Sequence, residues 1–179
     1  MQMAIIFELW AECESQEDAQ RFANHFSGFS HPVRDGRIVS WKTDPISAAF
    51  HPAGFCAFAD GLSRYGVRTI NDALDATEAG LRAYHHLLSA PPFRYALIDW
   101  EAANFPMCDL PTYVEGNQPW LQLECIMDER RWEEIGRPKG TVPFRPGYRW
   151  RPYSGEHYRP LGSSDHPELL ALEKELFPK

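Results

Sequence analysis

Five prolines, Pro138, Pro143, Pro146, Pro152 and Pro160, fall between Gly136 and Gly162, and that spacing excludes a long helix or a central strand. Each proline lacks the N–H that a ladder needs, and its ring clashes with the preceding turn of a helix. The spacing therefore predicts an irregular arm over residues 137–162. The arm is laid on one domain spanning 1–179 rather than linking two cores. A chain of 179 residues can bury roughly two-thirds of its unfolded surface, so it needs no staples.

Regular elements are expected on both sides of the arm. Residues 3–12 carry the strong β-formers Ile5, Ile6 and Phe7. Ser15 then offers a cap, Glu17 and Asp18 put acids in a first helical turn, and Ala19, Phe22, Ala23 and Phe26 repeat at helical spacing before Gly28. Asp35-Gly36 supplies the positive φ of a tight turn, which predicts a hairpin over 33–41. Residues 55–59 form the next strand, and 61–76 are punctuated by Gly, Asp and Asn as a loop. A second helix is expected from a Thr77 cap to Ser89, with Leu81, Tyr84 and Leu88 as its buried stripe, stopped by Pro91-Pro92. Strands at 93–100 and 120–127, a short helix over 128–135 and a final helix capped by Asp165 complete the order. The fold class is α+β: a mostly antiparallel sheet with helices packed on one face, the Pro/Arg/aromatic arm and a C-terminal helix.

Charge is unevenly divided. Residues 1–136 hold 20 acids against 10 Lys/Arg, whereas residues 137–160 hold six Lys/Arg against Glu156 alone, within a total of -7. An acidic body disfavours nucleic acid and anionic membrane and favours a basic partner. No apolar run reaches the roughly 18 to 20 residues of a spanning helix. The opening apolar run is short, lacks a basic flank and meets Glu8, so a cytoplasmic location is expected. Cys13, Cys56, Cys108 and Cys125 have no C-x-x-C spacing, and buried, unpaired thiols are expected.

No segment spells a catalytic signature. The G-x-x-x-x-G-K, G-x-G-x-x-G, G-x-S-x-G and H-E-x-x-H patterns are all missing. His85 and His86 point about 100° apart on a helix and do not readily share a metal. No metal or cofactor is expected. Two constellations keep some chemical interest. Asp99 and Glu101 flank Trp100, and a spacing of two puts both carboxylates on one face of a strand. Glu156 precedes His157 in the arm, an acid/base pair if a pocket forms there.

The arm itself, Tyr148, Arg149, Trp150, Arg151, Tyr153, His157 and Tyr158, interleaves guanidinium groups with rings. Both residue types give large contact energies at protein interfaces. Its plainer role is a strap in which arginines pair with body acids and rings fasten the segment to the core. Glu8, Glu12 and Glu14 read as a solvated acidic rim beside the first turn.

In its size, acidity, tryptophan content, opening strand, Ser15-Gln16-Glu17-Asp18-Ala19 helix entry and aromatic late segments, the chain resembles bacterial immunity proteins of toxin-delivery systems. The resemblance implies a non-enzymatic protein that binds and neutralises a cognate toxin, with a basic toxin or effector domain as partner. Its contacts would be the arm residues just named together with Glu8, Glu12 and Glu14. Trp10, Trp41, Trp100, Trp120, Trp132 and Trp150 form the pool of aromatic anchors. Two other classes stay open: a small hydrolase or transferase built on Asp99, Glu101 and His157, and a structural component of a phage or secretion apparatus.

Overall fold

Every residue of strand β1 (Phe7–Glu12) is buried, and the fold is organised around it. The structure, a computed structural model, describes residues 6–43, 53–62, 66–104, 124–158, 161–162 and 167–178, at 157–158 and 161–162 for the backbone only. Strands β2 (Ser30–Pro32), β3 (Ile38–Thr43), β4 (Gly54–Asp60), β5 (Tyr95–Trp100), β6 (Cys125–Asp128), β7 (Val142–Arg145) and β8 (Tyr148–Trp150) join β1 in one sheet. Its order is β2-β3-β4-β1-β5-β6-β8-β7, and all neighbours are antiparallel. A separate two-stranded pair is formed by β9 (His157–Tyr158) and β10 (Leu161–Gly162).

The period of two along β1 divides the interior into two layers. Phe7, Leu9 and Ala11 face the long helices α1 (Gln16–Phe26) and α2 (Ile70–Leu87), joining Phe22, Phe26, Tyr84 and Leu87 in the main core. Trp10 faces the other way, with Cys56, Tyr95, Leu97, Cys125 and Met127. That second layer is covered by the 3-10 turn Ala102–Asn104 and by the short helix α3 (Glu129–Glu134), through Ala102, Ile135 and Trp132. Helix α4 (Pro167–Leu176) lies beside α2 and buries Leu169. The α+β class is that of the sequence reading: an antiparallel sheet, long helices on one face and a C-terminal helix.

Local signals explain most boundaries. Ser15 accepts the Asp18 N–H at 3.1 Å as the α1 cap, and Gly28 leaves the helix at φ 76°. Gly36, at φ 81°, turns the β2–β3 hairpin, which is closed by Val33 N–H donating to Arg37 C=O at 2.8 Å. Asp128 caps α3 by accepting the Arg131 N–H at 2.6 Å.

Helix α2 corrects the expected start at Thr77. A capping box at Thr69 and Asp72 begins the helix eight residues earlier, and Thr77 lies inside it, donating its hydroxyl to Ala73 C=O at 2.7 Å. Leu87 rather than Leu88 completes the buried stripe. The arm also holds more regular structure than its prolines suggest. Gly147, at φ 81°, turns a β7–β8 hairpin, and β8 pairs with β6 to extend the main sheet. Pro143 fits because it sits in β7, an edge strand. Residues 151–156 have no regular structure. Cys108, Trp120, the Pro106–Pro111 stretch and the Asp165 cap lie outside the described residues. No helix among the described residues is long and apolar enough to cross a membrane.

Candidate functional site

Among the described residues, pairing of β5 with β6 ends at Leu97 opposite Cys125, and β5 itself runs on to Trp100. The Tyr84 hydroxyl of α2 lies at the end of this pairing: it accepts the Ile98 N–H at 3.2 Å and donates to the Glu124 C=O. It thereby satisfies two backbone groups there. Burial raises the Tyr84 hydroxyl well above its ordinary pKa, so it stays a neutral donor.

Beside this hydroxyl the arm leaves β8 and crosses the sheet end. Arg151 N–H donates to Cys125 C=O at 2.9 Å, and residues 151–156 then run over β5 and α2. Between the arm and β5 opens a cleft of about 400 Å³, lined by Asp99, Glu124, Arg151, Tyr153, Ser154 and Glu156 among others. Three carboxylates and one guanidinium therefore share a concave surface.

Their environments differ. Glu156 accepts the Trp100 indole N–H and the Tyr153 hydroxyl, both at 2.8 Å. Burial pushes its carboxyl up to about 7, with nearby Asp99 and Glu124 adding to the rise while the bonds from Tyr153 and Trp100 oppose it. Glu124 accepts the Ser154 N–H at 2.8 Å and the Ser154 hydroxyl. Burial raises the Glu124 pKa, against the pull of those bonds. Asp99 is also raised by burial, opposed by a bond from the Trp100 N–H at 2.6 Å. The arrangement can accept a cation, and it can hold a proton on one carboxyl while others ionise.

Several expected contact residues prove to be interior. Trp150 and Tyr153 are each 7% exposed. Trp150 packs on Tyr84, Phe144 and Phe177, and Tyr153 packs on Tyr84. Their rings fill space that α2 and the C-terminal segment leave above the sheet. Half-buried Tyr148 accepts the Phe93 N–H at 3.0 Å, and half-buried Arg149 lies over Trp132 at 4.7 Å. Arg145 binds the end of α2, donating to the Leu87, Leu88 and Ala90 carbonyls at 3.2, 3.2 and 2.5 Å. Of the tryptophan pool, Trp10 and Trp41 are buried, and Trp100 and Trp132 are half-buried. The side chains of His157 and Tyr158 lie outside the described ones.

The expected acidic rim is also corrected. Glu8 and Glu12 are 7% and 1% exposed, because the period of two turns them onto the second layer with Trp10. Glu8 accepts the Ala103 N–H at 2.8 Å, and Glu12 accepts the Trp10 indole N–H at 2.9 Å. Only Glu14 of the three is exposed, ion-paired with Arg94 at 3.2 Å and Arg130 at 3.6 Å.

The Asp99 and Glu101 carboxylates do not converge. Glu101 takes φ 56°, leaves the strand and accepts the Ile6 N–H at 2.7 Å, while Asp99 lines the cleft. Glu124 was missed by sequence reasoning; its one signal is its place just before the apolar Cys125-Ile126-Met127 strand. Glu156 was considered only as a partner for His157, not for Trp100. Among the described residues no group of three His, Cys, Asp or Glu side chains is placed to hold a metal ion. Cys13, Cys56 and Cys125 are buried and are not joined to one another by disulfides. Compared with known family models, curated proteins and solved structures, the chain matches none.

Proposed function

We propose that the protein is a binding protein for a basic protein partner, in its sharpest form a bacterial immunity protein that neutralises a toxin or effector domain. The observation that carries this reading is the cleft, where Asp99, Glu124 and Glu156 outnumber Arg151. A lysine or arginine of a partner fits such a lining by charge, and the net charge of -7 would steer the encounter over a longer range. The buried rings of the arm are not available as anchors, so recognition in this reading rests on acids rather than on Trp150 or Tyr153.

The test compares wild type with an Asp99→Asn/Glu124→Gln double variant, each immobilised and challenged with the basic proteins of the source cell. Wild type should retain a protein that added salt releases, and the double variant should not. Equal retention by both, or none by wild type, overturns the reading.

A second reading is favoured by one observation. A carboxyl held near 7 beside an acid in the same cleft suits proton donation and acceptance, as a small hydrolase or transferase requires. Turnover of an ester, glycoside or phosphoester by wild type, lost in Glu156→Gln, would put this reading first.

A further inference from the structure

Arg151 and Asp99 line one cleft and do not pair with each other. Arg151 follows β8 and opens the strap, residues 151–156, while Asp99 lies near the end of β5. Both are half-buried. Among the described residues the Arg151 side chain has no ion pair and no hydrogen bond. Its neighbours in the arm are engaged: Arg149 pairs with Glu129 at 3.6 Å, and Arg145 donates to the carbonyls that end α2. The Asp99 carboxylate accepts the N–H of the next residue, Trp100, and pairs with no cation among the described residues. Glu124 and Glu156 share the lining but are engaged, Glu124 by Ser154 and Glu156 by Trp100 and Tyr153. Arg151 eases the charge on Glu124 through space without pairing with it.

We propose that this cleft binds a small zwitterion, of the class of a free amino acid with a basic side chain, with its carboxylate on Arg151 and a cationic group on Asp99. The physical case is desolvation. A half-buried charge without a partner has lost part of its hydration and gained no contact in return. A carboxylate brought to the guanidinium can accept two parallel N–H bonds, and an ammonium or guanidinium on Asp99 is likewise charge-assisted.

The class of ligand follows from the separation of the two groups. Because Asp99 and Arg151 do not pair, a ligand must carry both charges and bridge between them. A lone cation or a lone anion satisfies one wall and leaves the other bare. Glu124 and Glu156 add acids to the lining and no base, so a zwitterion with an extra positive charge complements it better than a neutral or acidic one. The cleft volume of about 400 Å³ falls within the roughly 300 to 1,000 Å³ of small-molecule sites. The inference goes beyond the protein-partner reading and does not rest on it.

Calorimetric titration of the full chain at low salt tests it with L-lysine, with cadaverine, which lacks the carboxylate, and with L-norleucine, which lacks the side-chain cation. Wild type should bind L-lysine saturably and at least about tenfold more tightly than either of the others, since each omission removes a charge-assisted bond. Arg151→Ala should bind L-lysine and cadaverine alike, because the group that reads the carboxylate is gone. Asp99→Asn should weaken both by about tenfold. Absence of saturable L-lysine binding by wild type overturns the proposal. So does binding of cadaverine or L-norleucine as tight as that of L-lysine, or a preference for L-lysine that survives in Arg151→Ala. The wild-type comparison decides the matter even where a variant does not fold. Capture of a basic protein without L-lysine binding would remove this site and leave the partner reading standing.

Discussion

Gly80 of α2 lies beneath the ring of Tyr153, so closely that a Cβ at residue 80 would sit 2.7 Å from Cε1 and 2.9 Å from Cζ. The absence of a side chain on the helix is what lets the strap approach it.

Gly80→Ala separates two opposed effects. In an exposed helix interior the change stabilises by up to about 1 kcal/mol. Here the Tyr153 ring must move, and it is buried and tied to Glu156. Overpacking of this kind costs about 1–3 kcal/mol. The expected result is a net loss of about 1 kcal/mol, read as a lower denaturant midpoint at unchanged slope. A gain in stability would mean that Tyr153 is not held where it lies.

Tyr84→Phe removes one oxygen that serves two strands. Without it the Ile98 N–H and the Glu124 C=O lose their shared partner at the end of the β5–β6 ladder. Leaving buried polar groups unmet costs about 1–3 kcal/mol. Urea unfolding should show a loss of that size. Exchange at the Ile98 amide should accelerate more than at Leu9 in the centre of β1.

These two positions show how far the fold was legible from residues alone. The Ser15 cap, the Asp35-Gly36 turn and the Asp128 cap each act within a few residues, and a local cause leaves a local signal. The start of α2 did not read as a helix because its first turns bury an acid. Asp75 is 6% exposed, paired with Arg37. Polar letters at buried positions erase the periodicity that marks a helix. The cleft was less legible still. Asp99, Glu124 and Glu156 share no spacing, and they meet because the 151–156 segment crosses the end of β5. The pairing of Asp99 with Glu101 failed for the converse reason: a spacing of two puts residues on one face only while both remain in the strand.

His31 gives the fold a pH dependence on the acid side. Its ring is buried, accepting the Trp41 indole N–H at 3.3 Å through Nε2, while Nδ1 faces the Pro32 C=O at 3.3 Å. That pairing requires the neutral ring with its proton on Nδ1. Burial lowers the pKa from 6.5 to about 4, and Arg82 adds to the fall. The unfolded chain therefore binds the extra proton first. The stabilising contribution is complete above 6.5 and is lost as pH falls toward 4. Urea midpoints of wild type and His31→Gln, measured across this window, should converge at the acid end. A constant gap between them would show that His31 does not titrate as its surroundings dictate.

Trp150→Ala distinguishes an arm that holds the fold from an arm that meets a partner. Trp150 is 7% exposed. Its ring is 5.5 Å from Tyr84, 5.5 Å from Phe144 and 5.0 Å from Phe177, linking α2, β7 and the C-terminal segment. Its truncation should leave a cavity among these three and cost about 3–5 kcal/mol, the range for a buried aromatic. Arg151→Ala, one residue on, changes a half-buried side chain in the cleft wall and should cost less than about 1 kcal/mol. Thermal melts of the two variants order them directly. A far lower melting temperature for Trp150→Ala alone identifies its ring as core, and partner binding is then to be sought through the cleft acids. If Trp150→Ala melts like wild type yet releases a bound partner faster, the ring is an interface anchor after all, and the buried position described above is not the one it holds in solution.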